Sequence, residues 1–349
     1  MQEIIDKIYA GERINPEEGA RLLREGNLYQ LGMAADRRRR ELHPDKVVTY
    51  IIDRNINYTD ICISGCKFCA FYTAPEKEGG YILSFEELGR KIEETRELGG
   101  NQILLQGGLH PDKTLDYYEE MLRFIKSHGI HVHGFSPPEI CHFADINGIT
   151  TSEVLTRLQA AGLDSMPGGG AEILSDRVRK DIAPRKCLAE PWIRVMEEAH
   201  KLGMKTTATM MFGHVETLEE RMEHLERVRS LQDRTGGFTA FIPWPFQPEN
   251  TVYSHLPKTG GLDYLKMLAL TRIYLDNVPN IQASWVTQGP KIAQLALFFG
   301  ANDFGSTMIE ENVVSAAGIS FSLSEEDICR LVKSAGFEPR RRRMDYSAA

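Results

Sequence analysis

Cys62-Ile63-Ser64-Gly65-Cys66-Lys67-Phe68-Cys69 follows directly on the run Ile56-Asn57-Tyr58-Thr59-Asp60-Ile61. The run reads as a short strand over 56–61, and the loop after it gathers three of the chain's six cysteines. Six cysteines in 349 residues are too sparse for a disulfide scaffold. Clustered cysteines in a reducing compartment point instead to metal or redox work. Three thiolates spaced C-x3-C-x2-C hold three irons of a four-iron cubane and leave the fourth iron open to a ligand. A structural zinc site wants four ligands, usually from two C-x2-C pairs, and an electron-transfer ferredoxin wants a fourth cysteine close by. Only Cys141 and His110 are candidates for that fourth ligand in strand order. The spacing therefore favours a [4Fe-4S] cluster held by Cys62, Cys66 and Cys69.

Outward from this loop, short β-rich runs alternate with amphipathic helical ones. Strands are predicted near 56–61, 101–105, 130–135, 163–166, 205–211, 238–242, 281–284 and 302–304. Helices are predicted near 84–98, 115–128, 151–161, 190–202, 217–232, 263–276, 289–299 and 324–335. Ser84 and Ser324 stand where N-caps are wanted, and glycines such as Gly129 and Gly203 stand where helices stop. Eight alternations fit a (β/α)8 TIM-type barrel, complete or partial, better than an open doubly wound sheet. Residues 1–46 read as an N-terminal helical segment, 47–336 as the barrel and 337–349 as a basic C-terminal tail. In such a fold chemistry belongs at the carboxyl ends of the strands.

Unusual residues do gather there. The second strand ends in Gln106-Gly107-Gly108-Leu109-His110-Pro111, where glycines permit close backbone approach. The third carries His131 and His133 on one face and ends in Phe135-Ser136-Pro137-Pro138-Glu139. Pro167-Gly168-Gly169-Gly170-Ala171-Glu172 after the fourth makes a backbone-lined pocket with one acid for a ribose diol. The cations Arg179, Arg185 and Lys186 follow it. Phe241 to Thr251 after the sixth forms a stiff rim of prolines and aromatics, suited to an aromatic or nucleoside-like ligand, and Ser284 to Gly289 after the seventh brings polar tips.

The cysteine loop, including the aromatic Phe68 before the third cysteine, resembles the signature of the radical S-adenosylmethionine (SAM) superfamily. That resemblance implies that SAM chelates the open iron and is cleaved to a 5′-deoxyadenosyl radical. It places Phe68 near the adenine, Gln106, Gly107 and Gly108 near the SAM amino group, and one of Arg179, Arg185 and Lys186 at the SAM carboxylate; by their strand-end positions Ser136, Glu139 and Glu172 read as further ligand contacts. Asn57 to Cys62, Cys66 to Tyr72, Gln106 to Pro111, Phe135 to Glu139, Pro167 to Glu172, Met211 to His214, Phe241 to Thr251, Ala283 to Gly289 and Gly300 to Asn312 together resemble one branch, the cyclic dehypoxanthine futalosine synthases of menaquinone biosynthesis. The implied reaction abstracts the ribose C4′ hydrogen, adds the C4′ radical to the benzoate ring, and loses one electron and one proton. His133, Glu139 and His110 are the candidate bases. Two sister families share much of the pattern: aminofutalosine synthase and the tyrosine-dependent subunit of the deazaflavin (F420) chromophore synthase.

A net charge of −8 argues against a nucleic-acid partner. No apolar run reaches the ~18 residues of a membrane span, and the N-terminus shows no secretory segment. The chain is expected to be cytoplasmic, to take a small nucleoside-like substrate, and to draw electrons from a donor such as flavodoxin or ferredoxin. The basic runs Arg37–Arg40 and Arg340–Arg343 read as solvated faces. Cys141, Cys187 and Cys329 read as ordinary buried thiols.

Overall fold

Two strands separated only by Ile52, β1 (Val47–Ile51) and β2 (Asp53–Asn57), lead the strand order in the computed structural model, which describes residues 1–319 and 321–349. After them come β3 (Gln102–Gln106), β4 (His131–Gly134), β5 (Ser165–Met166), β6 (Lys205–Phe212), β7 (Phe238–Pro245), β8 (Asn280–Ile281), β9 (Asp303–Ser306) and β10 (Glu338–Arg341). Strands β2 to β8 make a seven-stranded sheet in chain order, every neighbour pair parallel. A second sheet has the order β10-β1-β9, also parallel. The pairings thus fall into two sheets rather than one closed cylinder. Two links join them: the chain itself at Ile52, and a parallel bridge between Gln282 and Asp303. The expected β/α barrel architecture is present in this divided form.

Each parallel step is covered by a helix. Phe85–Glu97, Leu115–Ser127, Thr151–Ala161, Ala189–Lys201, Leu218–Thr235, Gly261–Tyr274 and Glu325–Ser334 all lie where the periodicity predicts. Ser84 and Ser324 cap their helices by accepting from the backbone N–H three residues on, and the third-residue acid bonds back to the cap. Gly129 and Gly203 turn the chain after their helices at φ +70° and +77°, where a side chain would be strained. Among the described residues no helix is long and apolar enough to cross a membrane.

Three departures from the sequence reading matter for the site. The first strand lies at 53–57 rather than 56–61. Its residues Asp53, Arg54, Asn55 and Asn57 are polar yet buried, so no apolar alternation marks it. The two charged ones are paired: Asp53 accepts from Gln102 Nε2 at 2.8 Å, and Arg54 reaches Glu94 at 2.9 Å. A helix, Pro137–Asn147, also starts at the very end of β4, opened by two prolines whose missing N–H groups cost nothing in a first turn. Finally, the basic runs are not uniformly solvated. Arg37, Arg40, Arg340 and Arg343 are exposed, but Arg39 is buried against Asp36. Arg342 is buried too, held by Asp303 at 2.5 and 3.1 Å. The segment after 337 is drawn in by β10, which pairs with β1 from Val47↔Glu338 to Tyr50↔Arg341.

Candidate functional site

Cys62, Cys66 and Cys69 sit in the loop beyond β2, the first two buried and the third half-buried. Backbone bonds pin this loop: Cys62 N–H donates to Thr73 O at 2.9 Å, Ile63 N–H to Leu109 O at 3.0 Å and Lys67 N–H to Ile182 O at 2.8 Å. Polar groups then surround the sulfurs. Leu109 N–H donates to Cys62 Sγ at 3.2 Å, and the Ser64 hydroxyl stands 2.9 Å from Cys62 Sγ and 3.3 Å from Cys66 Sγ. Burial pushes the Cys66 thiol up to about 11. Among the described residues no three His, Cys, Asp or Glu side chains gather tightly enough to hold a single metal ion. The donor set fits an iron–sulfur cluster: three thiols on one loop, sulfur atoms met by N–H and O–H donors, and a lysine close by.

That lysine is Lys186. Its Nζ donates to Glu172 Oε1 at 3.1 Å and lies 5.2 Å from the centre of the Phe68 ring. Burial works against its charge, but Cys66 and Glu172 outweigh it and hold the ammonium above its ordinary range. Glu172 is buried, in the left-handed region at φ 41°, and its second oxygen Oε2 has no hydrogen-bond partner. An unpaired buried carboxylate oxygen is costly, so this atom waits for a donor. Arg179 is placed differently. Its guanidinium is buried behind the loop and donates to the Cys187 and Ala171 carbonyls at 2.6–2.9 Å, with Glu172 Oε2 only at 3.6 Å. Of the three predicted cations, Lys186 lies beside the cysteines, Arg179 holds the chain that presents Glu172, and Arg185 donates to the Ile63 carbonyl at 2.9 Å.

Gly107 and Gly108 lie between the cysteine loop and the interior. A Cβ on Gly108 would stand 2.2 Å from Ile61 O, and one on Gly107 would stand 2.5 Å from the Tyr58 ring, so neither tolerates a side chain. Below them Glu139 accepts from Tyr58 Oη at 2.7 Å, Gly107 N–H at 3.2 Å and Ser136 Oγ at 2.6 Å. Burial pushes its carboxyl up to about 7. With both oxygens engaged, Glu139 and Ser136 support the glycine turn from behind. His110 also lies off the interior: its Nδ1 accepts from Asp112 N–H at 3.1 Å, and burial lowers its pKa.

The interior holds a cavity of about 300 Å³. Glu172, Gln106 and Gly169 line one end and Arg342, Met344 and Tyr346 the other. Between them stand Asn55, Gln102, His133, Thr209, Trp244 and Trp285. The wall is mostly apolar with a few fixed polar groups, the usual character of a small-molecule site. Of the three predicted bases only His133 faces it. Burial, His131 and Arg342 together push His133 well below the ordinary imidazole range, so it is neutral. Asp303 pairs with Arg342 at the foot of the cavity, Asp53 lies near enough to feel the same charge, and burial raises Asp53 above the usual carboxylate range. Sequence reasoning missed Asn55, Gln102, Asp53 and Arg342. The only signal was polar residues inside strands.

Comparison with known proteins agrees with this geometry. A family model for the radical SAM superfamily matches residues 56–228, and one for the CofH/MqnC C-terminal region matches 235–349. The cyclic dehypoxanthine futalosine synthase of Halalkalibacterium halodurans is 47% identical over 98% of this chain and 93% of its own length. That of Streptomyces coelicolor is 46% identical over 99% and 88%. The 5-amino-6-(D-ribitylamino)uracil–L-tyrosine 4-hydroxyphenyl transferase of Archaeoglobus fulgidus is 44% identical over 92% and 94%. In fold, the chain superimposes on the FeFe-hydrogenase maturase HydG from Carboxydothermus hydrogenoformans with TM-score 0.80, at 21% identity over 99% of this chain and 80% of that one.

Proposed function

Because the chain belongs to the radical SAM superfamily, in the branch that carries the CofH/MqnC C-terminal region, we propose that it is the enzyme that cyclises dehypoxanthine futalosine in menaquinone biosynthesis. The observation that carries this reading is the full-length likeness to two synthases of that name. When bound, a [4Fe-4S] cluster and SAM supply the 5′-deoxyadenosyl radical that abstracts the ribose C4′ hydrogen. Cys62, Cys66 and Cys69 would hold the cluster. Lys186 would meet the SAM carboxylate, with the unpaired Glu172 oxygen accepting from a ribose hydroxyl and Phe68 beside the adenine.

The chain's own residues do the rest by binding and exclusion. Trp244, Trp285, Ile242 and Val286 give the cavity an apolar wall that suits the benzoate ring and keeps water from a radical. Asn55, Gln102 and Thr209 offer hydrogen bonds to the sugar. Asn55 Oδ1 and Gln102 Oε1 are buried without partners, which suits receipt of hydroxyl donors. A one-electron donor of the flavodoxin or ferredoxin kind completes the reading, and six free cysteines suit a reducing cytoplasm.

The test is anaerobic reconstitution followed by dehypoxanthine futalosine, SAM and dithionite. The expected products are 5′-deoxyadenosine and a compound lighter than the substrate by two hydrogen atoms. Turnover only with tyrosine and 5-amino-6-(D-ribitylamino)uracil would favour the transferase reading that the 44% relatives stand for. Adenosine covalently joined to the product would mean aminofutalosine synthase.

A further inference from the structure

Ring closure as proposed above ends with a proton to dispose of, and this inference rests on that reading. A cavity that keeps water from a radical must supply the acceptor itself. Of the acids that line it, Asp53 is bonded to Ser306 and Gln102, and Glu311 accepts from the backbone N–H groups of Val313, Val314 and Ser315; Glu172 has one oxygen on Lys186 and its unpaired one is assigned above to a ribose hydroxyl. His133 is different. It lines the cavity, and among the described residues its Nε2 has no hydrogen bond.

Its other nitrogen begins a chain of contacts that leads outward. His133 Nδ1 lies 2.8 Å from Ser165 Oγ, and the same hydroxyl lies 2.8 Å from His131 Nε2. His131 Nδ1 lies 3.9 Å from Asp164 Oδ2, which Lys126 Nζ meets at 2.7 Å. Strand pairing sets this up, because His133 and Ser165 are register partners across β4 and β5, and His131 shares the face of His133. His133 and Ser165 are buried, at 6% and 1% exposure, and the path reaches solvent at the His131 side chain, 35% exposed. The chain therefore runs from the cavity to solvent.

We propose that His133 takes the ring proton at Nε2 and that Ser165 and His131 carry it out to Asp164 and water. As the ring C–H bond breaks, its electron pair restores the aromatic ring and an Nε2–H bond forms. The Nδ1 proton of His133 passes to Ser165 Oγ while the Ser165 proton passes to His131 Nε2. His131 releases its Nδ1 proton to Asp164 or water, so one proton enters and one leaves. The electron passes separately to a one-electron acceptor of the iron–sulfur or flavin type. His133 has a weak hold on a proton, because burial, His131 and Arg342 all oppose its charge. It must hand the proton on. His131 is also lowered by burial, but Asp164 and Asp345 favour its charged form and only Lys126 opposes it.

Ser165→Ala removes the middle of the chain, and Ser165→Thr keeps a hydroxyl there. In the loaded enzyme, Ser165→Ala should lower cyclised product per 5′-deoxyadenosine roughly 100-fold, as positioned proton transfer commonly contributes. Ser165→Thr should recover most of it. An unchanged ratio in Ser165→Ala overturns the relay, as does a loss that Thr fails to rescue. Imidazole ¹⁵N NMR of the oxidised holoenzyme reads the same contacts without turnover. Ser165→Ala should shift both His133 Nδ1 and His131 Nε2, and unmoved signals overturn the relay whatever the substrate is. If the wild type makes no cyclised product, the substrate reading fails, and the NMR still decides on the relay.

Discussion

The two ends of the cavity spend their charges in opposite ways. At the mouth, Glu172 keeps one oxygen unpaired, Lys186 stands over Phe68 beside the cysteines, and thiols face N–H donors. At the floor the charged groups are closed on the protein itself. Arg342 gives its Nε and Nη2 to Asp303 and its Nη1 to the Arg343 carbonyl at 3.2 Å, with Tyr346 stacked at 4.1 Å. Asp53 is bonded to Ser306 and Gln102. An unpaired carboxylate oxygen at the mouth belongs to a site that expects a ligand, whereas an Arg342–Asp303 ion pair closed on itself at the floor belongs to a seal. The comparison teaches that one cavity can be reactive at one end and structural at the other.

A pair of variants breaks this comparison if it is mistaken. Arg342→Met leaves Asp303 buried without its cation. Removing one partner of a buried ion pair costs ~3–5 kcal/mol, so the urea midpoint should fall steeply. Cys66→Ser should do the reverse, leaving the midpoint near wild type while removing the cluster's colour and all SAM cleavage. An Arg342→Met protein that unfolds at the wild-type midpoint would show that the floor is no seal.

Glu139, behind the Gly107 turn and off the cavity, gives a smaller effect. Its folded pKa of about 7 stands above the ordinary ~4.3, because burial opposes the carboxylate. The folded state therefore holds this proton more tightly than the unfolded one. That stability is complete below about pH 4.3 and is lost as the pH rises to about 7, a change of order 3 kcal/mol. Glu139→Gln keeps the neutral form and should flatten the fall in stability between pH 5 and 7, read by denaturation at each pH. An unaltered slope would remove Glu139 from the support of the Gly107 turn.

The mouth was legible in the chain because its parts are contiguous. C-x3-C-x2-C is one loop, Gln106-Gly107-Gly108 another, and Gly168-Gly169-Gly170-Ala171-Glu172 a third, each recognisable from its own residues. Helix positions were equally clear, since apolar periodicity and Ser84- or Ser324-type caps act locally. The floor was not. Asp53, Gln102, Asp303 and Arg342 come from four places in the sequence and meet only in space. Inside β2, Asp53, Arg54, Asn55 and Asn57 also replace the apolar alternation that marks a strand. The Arg340–Arg343 run misled for a related reason: composition shows the charge but not that β10 pairs with β1 and turns Arg342 inward. Glu139 and His110 looked like bases because they follow strands, yet the helix Pro137–Asn147 and the Asp112 N–H hold them away from the cavity.

Hydrogen transfer from the ribose tests the central claim most directly. Dehypoxanthine futalosine carrying deuterium at C4′, turned over once with SAM and dithionite, should deliver that deuterium to 5′-deoxyadenosine and give a cyclised product without it. Unlabelled 5′-deoxyadenosine beside a product that keeps its deuterium would contradict a C4′ radical cyclase in this cavity.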